Sequence, residues 1–144
     1  VAKASPVEAG LRRALLGGAV VIAVGTAAEL VLAEHWEAPI QRLPFAVTAA
    51  LTAAGVWFAL RPGRAALWGL RLAAMVAVGA GGFGVFEHGE HNWEFEAEIR
   101  PTATQGELAV EALFGANPLL APGMISVAGL LALAAAWRHP GFGK

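Results

Sequence analysis

The chain contains no cysteine, no tyrosine and no aspartate among its 144 residues, and charged residues make up only 15% of it. Without cysteine there is no disulfide, no thiolate nucleophile and no cysteine-ligated zinc or iron–sulfur centre. A glycine-rich phosphate loop, a Ser-His-Asp set and a redox cysteine pair are likewise absent. The formal net charge of −1 provides no basic surface for nucleic acid. A soluble chain of this size carries about a quarter charged residues to cover its surface. Here 57% of residues are hydrophobic and the mean hydropathy is +0.59, so a soluble globular domain is excluded.

What is present instead is four apolar runs, each near the roughly 20 residues that a membrane helix needs. They cover 14–33, 44–60, 65–86 and 119–137. Glu29 is the only charge in the first, and Pro44 suits an opening helical position, where a missing N–H costs nothing. Arg71 lies near the start of the third, where a long side chain can snorkel to the headgroups. The fourth carries Pro122 and Gly123 near its entry. Short connections join the first three runs, which makes those neighbours antiparallel, whereas 87–118 is a long loop. Arg12-Arg13 ahead of a run ending in Val31-Leu32-Ala33 imitates an export signal. The pair lacks the flanking residues of a twin-arginine signal, and the segment is read as a retained span.

Basic residues set the orientation. Lys3, Arg12, Arg13, Arg61, Arg64, Arg71, Arg138 and Lys144 fall on one side, with Glu8 the one acid among them; Arg42 and Arg100 fall on the other. Partitioned this way, the near-neutral chain becomes +7 on one face and −8 on the other. Both termini are expected to be cytoplasmic, with loops 34–43 and 87–118 outside.

Helices in lipid associate through small residues that allow close approach. Each span has a row at four-residue spacing: Ala19, Ala23 and Ala27; Ala46, Ala50 and Ala54; Ala73, Ala77 and Gly81, with a second row of Ala80 and Gly84; and Ala128, Ala132 and Ala136. Gly18, Gly25 and Glu29 share a helical face, and a carboxylate is costly in lipid, so Glu29 is expected to face the bundle near its outer mouth.

Three of the four histidines lie on the outer side, in the strings Glu34-His35-Trp36-Glu37 and Glu87-His88-Gly89-Glu90-His91. If the third helix continues beyond Phe86, Glu87 and His91 share a face and His88 extends the Ala80–Gly84 row into the bundle. Glu29, His35, Glu87, His88 and His91 are therefore the candidate metal ligands. Carboxylate with imidazole and no thiolate suits zinc, manganese or iron, and bundles build such sites from facing helices. The spacing matches no defined motif, and a hydrated hydrogen-bonded cap is the competing reading. Haem between His35 and His88 or His91 would need two opposed ligands and a roomy apolar slot. His139 is expected to face headgroups beside Arg138.

Trp93-Glu94-Phe95-Glu96-Ala97-Glu98-Ile99 alternates apolar with acidic residues, the period of a half-buried strand, with its glutamates in a row facing water. A lone strand leaves backbone groups in need of a partner. Thr104 and Glu107 match a capping box, which predicts a short interfacial helix over 105–114 ending at Gly115. Val110, Leu113 and Phe114 form its apolar side. The fold expected is an all-α membrane protein, one domain over 1–144. It is a four-transmembrane-helix antiparallel bundle, with an outer loop made of a short extended segment and an interfacial helix.

Several of these features together resemble an uncharacterised family of four-span bacterial inner-membrane proteins. They are Gly25 with Glu29; His35, Gln41 and Pro44; Gly84-Val85 with His88, Asn92 and Glu94-Phe95-Glu96; Ala121-Pro122-Gly123; and Arg138-His139-Pro140. Glu90 and His91 depart from the family's pattern. The resemblance implies a multi-pass protein of the bacterial inner membrane. It marks Glu29, His35, His88, Asn92, Glu94 and Glu96 as a polar cluster, and it brings no established activity.

The function expected is a non-catalytic accessory or assembly subunit of a larger inner-membrane complex, of respiratory or photosynthetic type. Its partners are the lipid bilayer and either another protein or a second copy of the chain; nucleic acid is not expected. No cofactor is expected on this reading. The alternative is a metal- or haem-binding protein using the outer Glu/His cluster, and the third is a component of proton-linked transport using Glu29.

Overall fold

The structure is a computed structural model that describes residues 5–139. Lys3, Pro140 and Lys144 lie outside the described residues. The regular elements of the described residues are all helical: α1 (Pro6–Leu32), a 3-10 turn (Pro39–Arg42), α2 (Leu43–Leu60), α3 (Arg64–Ile99), α4 (Gln105–Leu113) and α5 (Leu120–Ala136). Three helical stretches are long and apolar enough to cross a membrane, Pro6–Leu32, Pro39–Leu60 and Arg64–Ile99, and the apolar α5 is shorter at 17 residues. Only 17%, 28% and 22% of the most apolar parts of the three are buried, so their apolar surface mostly faces outward. That is the inverse of a soluble helix, whose apolar stripe turns to the core.

α1 starts well before the apolar run. Ser5 Oγ accepts the Glu8 N–H at 3.1 Å, Pro6 opens the first turn, and Arg12 Nη2 pairs with Glu8 Oε1 at 2.8 Å, so the polar leader is helical too.

The helices form a ring in which α1 packs on α2, α2 on α3, α3 on α5 and α5 on α1. The start of α1 meets the end of α5 (Arg12 with Ala135), and the start of α3 meets that end also (Arg71 with Ala136). The shared core is built largely of alanine: Ala19, Ala23, Ala74, Ala77, Ala128, Ala132 and Ala136, filled in by Leu51, Leu70 and Ile125. The alanine rows of α1 and α5 thus face inward, apart from a half-buried Ala27. That of α2 does not: Ala46 and Ala50 are exposed, and Val47, Thr48, Leu51, Gly55 and Phe58 take the inner face.

α3 and α5 approach most closely at Gly81 and Gly129. A Cβ on Gly129 would sit 2.6 Å from the Ala74 carbonyl, and one on Gly81 would meet the Ser126 backbone N at 2.6 Å. Ser126 Oγ donates to the Val78 carbonyl at 3.0 Å across the same contact. Two side chains that bulk would keep apart are replaced by backbone-to-backbone packing.

The extended segment expected at 93–99 is corrected: α3 runs unbroken for 36 residues to Ile99. A helix satisfies its own backbone groups, whereas an isolated strand leaves them orphaned, and glutamate and alanine are good helix formers. The segment beginning at 87, expected to be a loop, is therefore a continuation of α3 reaching about 20 Å beyond Phe86 at 1.5 Å per residue. Only Arg100 to Thr104 separates it from α4, which packs back onto it.

Candidate functional site

The acidic end of the ring holds a partly open cavity of about 320 Å³. Its apolar floor includes Ala80, Phe83, Gly84 and Ile125, and its polar lip comprises His35, Gln41, Glu87, His88, His91 and Asn117. Each lip residue is placed by a local device. α1 ends in a Schellman turn: His35 N–H donates to the Leu30 carbonyl at 2.9 Å and Glu34 N–H to that of Val31 at 3.1 Å, with Glu34 in the left-handed region at φ 50°. This swings His35 back over the ring. Gln41 Oε1 accepts the Ala38 N–H at 2.9 Å and holds the 3-10 turn that leads into α2.

Glu87, His88 and His91 come from the first turns of the α3 extension. His88 Nδ1 lies 3.1 Å from the Pro118 carbonyl, and His91 Nδ1 lies 2.7 Å from the carbonyl of Glu87. A carbonyl only accepts, so Nδ1 carries the proton in both rings and Nε2 is the remaining acceptor of the neutral imidazole. The His35 and His88 rings meet edge to face with centroids 6.4 Å apart. Burial and the neighbouring His88 lower the pKa of His35 below its ordinary 6.5. The hydrogen bond to the Glu87 carbonyl raises that of His91, helped by the charges of Glu87, Glu94 and Glu90.

The five candidate ligands do not all converge. His35, Glu87, His88 and His91 line the cavity, but among the described residues no three histidine or carboxylate side chains stand together as a ligand set. Glu29 is absent from the cavity lining and exposed, which corrects its expected placement toward the bundle. The reason is a choice between faces of α1: Ala19, Ala23 and Thr26 turn inward, and Glu29 lies about a quarter turn from them at 100° per residue. A proton route through Glu29 loses its geometric basis with that placement. No serine, threonine or cysteine lines the cavity. It offers hydrogen-bond acceptors and a carboxylate to a small polar or cationic group.

Asn92, Glu94 and Glu96 separate by face. On a helix Asn92 and Glu96 are one turn apart and both are buried against α4, while Glu94 and Glu98 are exposed, so the expected water-facing glutamate row is broken. Asn92, 1% exposed, uses its whole amide. Nδ2 donates to the carbonyls of Ala112 (2.9 Å) and Asn117 (2.8 Å), and Oδ1 accepts from Asn117 N–H (2.9 Å) and Nδ2 (3.1 Å). This caps the end of α4 from a different helix. Gly115 serves the same clip: its φ is not positive, so it is no left-handed cap, but a Cβ there would lie 2.5 Å from Asn92 Cγ.

The capping box of α4 is present, with Thr104 N–H and Oγ1 each donating to Glu107 Oε2 at 2.8 Å. These bonds hold the Glu107 carboxyl below its usual range. Leu108 and Ala112 of α4 are buried on α3, while the apolar side read from the sequence, Val110, Leu113 and Phe114, is exposed. Arg100 joins the two helices, with Nη1 on Glu111 Oε1 at 2.7 Å and Nε 3.2 Å from Glu96 Oε2.

The basic end carries contacts that spacing does not reveal. Arg12 Nη1 donates to the carbonyls of Ala135 (2.8 Å) and Trp137 (2.7 Å), and Arg71 Nη2 to that of Ala136 (3.0 Å). Two arginines from two helices thus cap the C-terminus of α5, and Arg71 is engaged there, over the Trp68 ring, instead of reaching outward. His139 packs edge-on against Phe58, centroids 5.4 Å apart, instead of facing outward beside Arg138. Trp57, Trp68 and Trp137 are exposed around this end, an arrangement typical of membrane–water interfaces and readable from tryptophan positions once the helix ends are known.

Comparison of the chain with protein-family models, with curated proteins and with solved structures finds no match.

Proposed function

We propose that the chain is an integral protein of the bacterial inner membrane and a non-catalytic accessory subunit of a larger complex. On this reading α1, α2, the apolar part of α3 and α5 form a four-span antiparallel bundle, as in the family its motifs resemble. The basic end and both termini are cytoplasmic, and the acidic end projects outside. The observation that carries the subunit role is the surface of the α3–α4 projection. Phe95, Ile99, Val110, Leu113 and Phe114 are all more than half exposed there. The α3 pair lies about 13–20 Å along the helix beyond Phe86. Apolar side chains held past the lipid on a rigid helix pair fit a protein partner.

A photocrosslinking amino acid at Phe95 or Leu113, activated in native membranes, is expected to give one reproducible adduct with a single protein identified by mass spectrometry. The same probe at exposed Val21, within the lipid-facing part of α1, is expected to give lipid adducts only. Lipid adducts alone from Phe95 and Leu113 would overturn the subunit role.

A metal-binding role is the second reading, favoured by the pairing of His35 and His88 at the mouth of the cavity. Elemental analysis of the purified protein tests it, with a stoichiometric metal that is lost in His88→Ala as the supporting result. The absence of a Soret band would remove the haem version.

A further inference from the structure

The basic end contains a second cavity, between α1 and α2, of about 720 Å³. Its walls are apolar, with Leu16, Val20, Val21 and Val56, and Arg12, Arg13 and His139 stand at its rim. Gly17 keeps the groove open on the α1 side, since a Cβ there would have nothing within 4 Å. On the other wall the helices touch at Gly55, where a Cβ would meet Val20 Cγ2 at 2.8 Å.

The two arginines of the rim differ. Arg12 is spent on Glu8 and on the end of α5. Arg13 is exposed and has no hydrogen bond or ion pair among the described residues. Arg61, Arg64 and Arg138 are exposed at the same end, where the one acid among the described residues, Glu8, is already paired with Arg12. An apolar slot thus opens beneath uncompensated positive charge. Free phosphate would match the charge and leave the walls unfilled. A zwitterionic lipid would fill the walls but bring its own cation to the arginines. An anionic lipid answers both features, and basic pockets between helices on the cytoplasmic side are the physical form such sites take.

We propose that this groove binds an anionic glycerophospholipid, its phosphate against Arg13 and an acyl chain along Leu16, Val20, Val21 and Val56. The site rests on the membrane-spanning reading above and adds a ligand to it.

The test uses the full-length protein in mild detergent, titrated with phosphatidylglycerol or phosphatidylcholine of equal chain length, or with inorganic phosphate, and read by native mass spectrometry. Phosphatidylglycerol is expected to be retained about five-fold better than phosphatidylcholine, and inorganic phosphate not retained. Arg13→Gln is expected to bring the two lipids to parity, Gly17→Leu to lower retention of both, and Arg64→Gln, at the same end but outside the groove, to keep the preference. Equal retention by the unaltered protein, or a preference that survives both Arg13→Gln and Gly17→Leu, would overturn the site. So would an equal loss in Arg64→Gln, which would make the preference a property of the whole basic face. Flotation with phosphatidylcholine vesicles is the separate control: a protein that does not float contradicts the membrane reading itself, whereas one that floats without lipid preference contradicts only the groove.

Discussion

Asn92 and Asn117 form a closed pair across the acidic end: the Asn92 amide donates to the Asn117 carbonyl at 2.8 Å and accepts the Asn117 N–H at 2.9 Å. Through this pair, and through the Ala112 carbonyl, the projecting part of α3 fixes both the end of α4 and the entry to α5. Asn92→Ala leaves these groups without partners and is expected to cost about 3 kcal/mol, since each orphaned buried polar group costs roughly 1–3. The loss is local to the α4–α5 connection. Limited proteolysis is expected to cut faster between 100 and 118, while the apolar helices keep their circular dichroism signal; an unchanged cleavage rate would contradict the clip.

At the α3–α5 contact, neighbouring glycines of one helix have opposite fates. A Cβ on Gly81 would run into the backbone of Ser126 and Pro122, while one on Gly82 would meet nothing within 4 Å. Gly81→Ala is expected to destabilise by about 1–3 kcal/mol through overpacking. Gly82→Ala is expected to stabilise by up to about 1 kcal/mol by favouring the helix. Thermal unfolding in one detergent checks the sign of each.

Arg12 is the hub of the basic end, with its side chain 17% exposed and bonded to Glu8, Ala135 and Trp137. Arg12→Gln is expected to cost about 2 kcal/mol, in the range for hydrogen bonds to a charged group. Arg12→Lys is expected to recover little of it, because an ammonium cannot span a carboxylate and two carbonyls in one plane. Full recovery by lysine in thermal unfolding would show that charge alone matters there.

Two of the three histidines that line the cavity are expected to titrate on opposite sides of 6.5, His35 below and His91 above. Proton linkage then gives each its own window. The contribution of His35 is complete above 6.5 and is lost as pH falls through its lowered value. That of His91 is complete below 6.5 and is lost as pH rises through its raised one. NMR titration of the imidazoles measures both. His88→Gln is expected to move His35 only part of the way back, because burial outweighs the charge of His88. Coincident midpoints would contradict the cavity geometry.

The apolar stretches and the α4 capping box were legible because they are local: one needs a run of apolar residues, the other Thr104 and Glu107 three apart. What failed depended on partners far along the chain. Alternation over 93–99 does not exclude a helix, and backbone satisfaction within the helix together with the bond of Asn92 to the end of α4 decides for it. Two faces of α1 were open to turn inward, and the one that carries Ala19, Ala23 and Thr26 does so in place of the face shared by Gly18, Gly25 and Glu29. The bonds of Arg12 to α5 span 123 and 125 residues, and no spacing rule announces them.

The proposed topology puts the basic and acidic ends on opposite sides of one membrane. The chain's lack of cysteine makes it directly testable. Single cysteines replacing Glu37 and Thr102 at the acidic end, and Ser5 and Pro62 at the basic end, are challenged with a membrane-impermeant maleimide in intact bacterial spheroplasts. Glu37→Cys and Thr102→Cys are expected to label before lysis, and Ser5→Cys and Pro62→Cys only after it. Labelling of Glu37→Cys and Pro62→Cys from the same side would contradict the topology and the reading built on it.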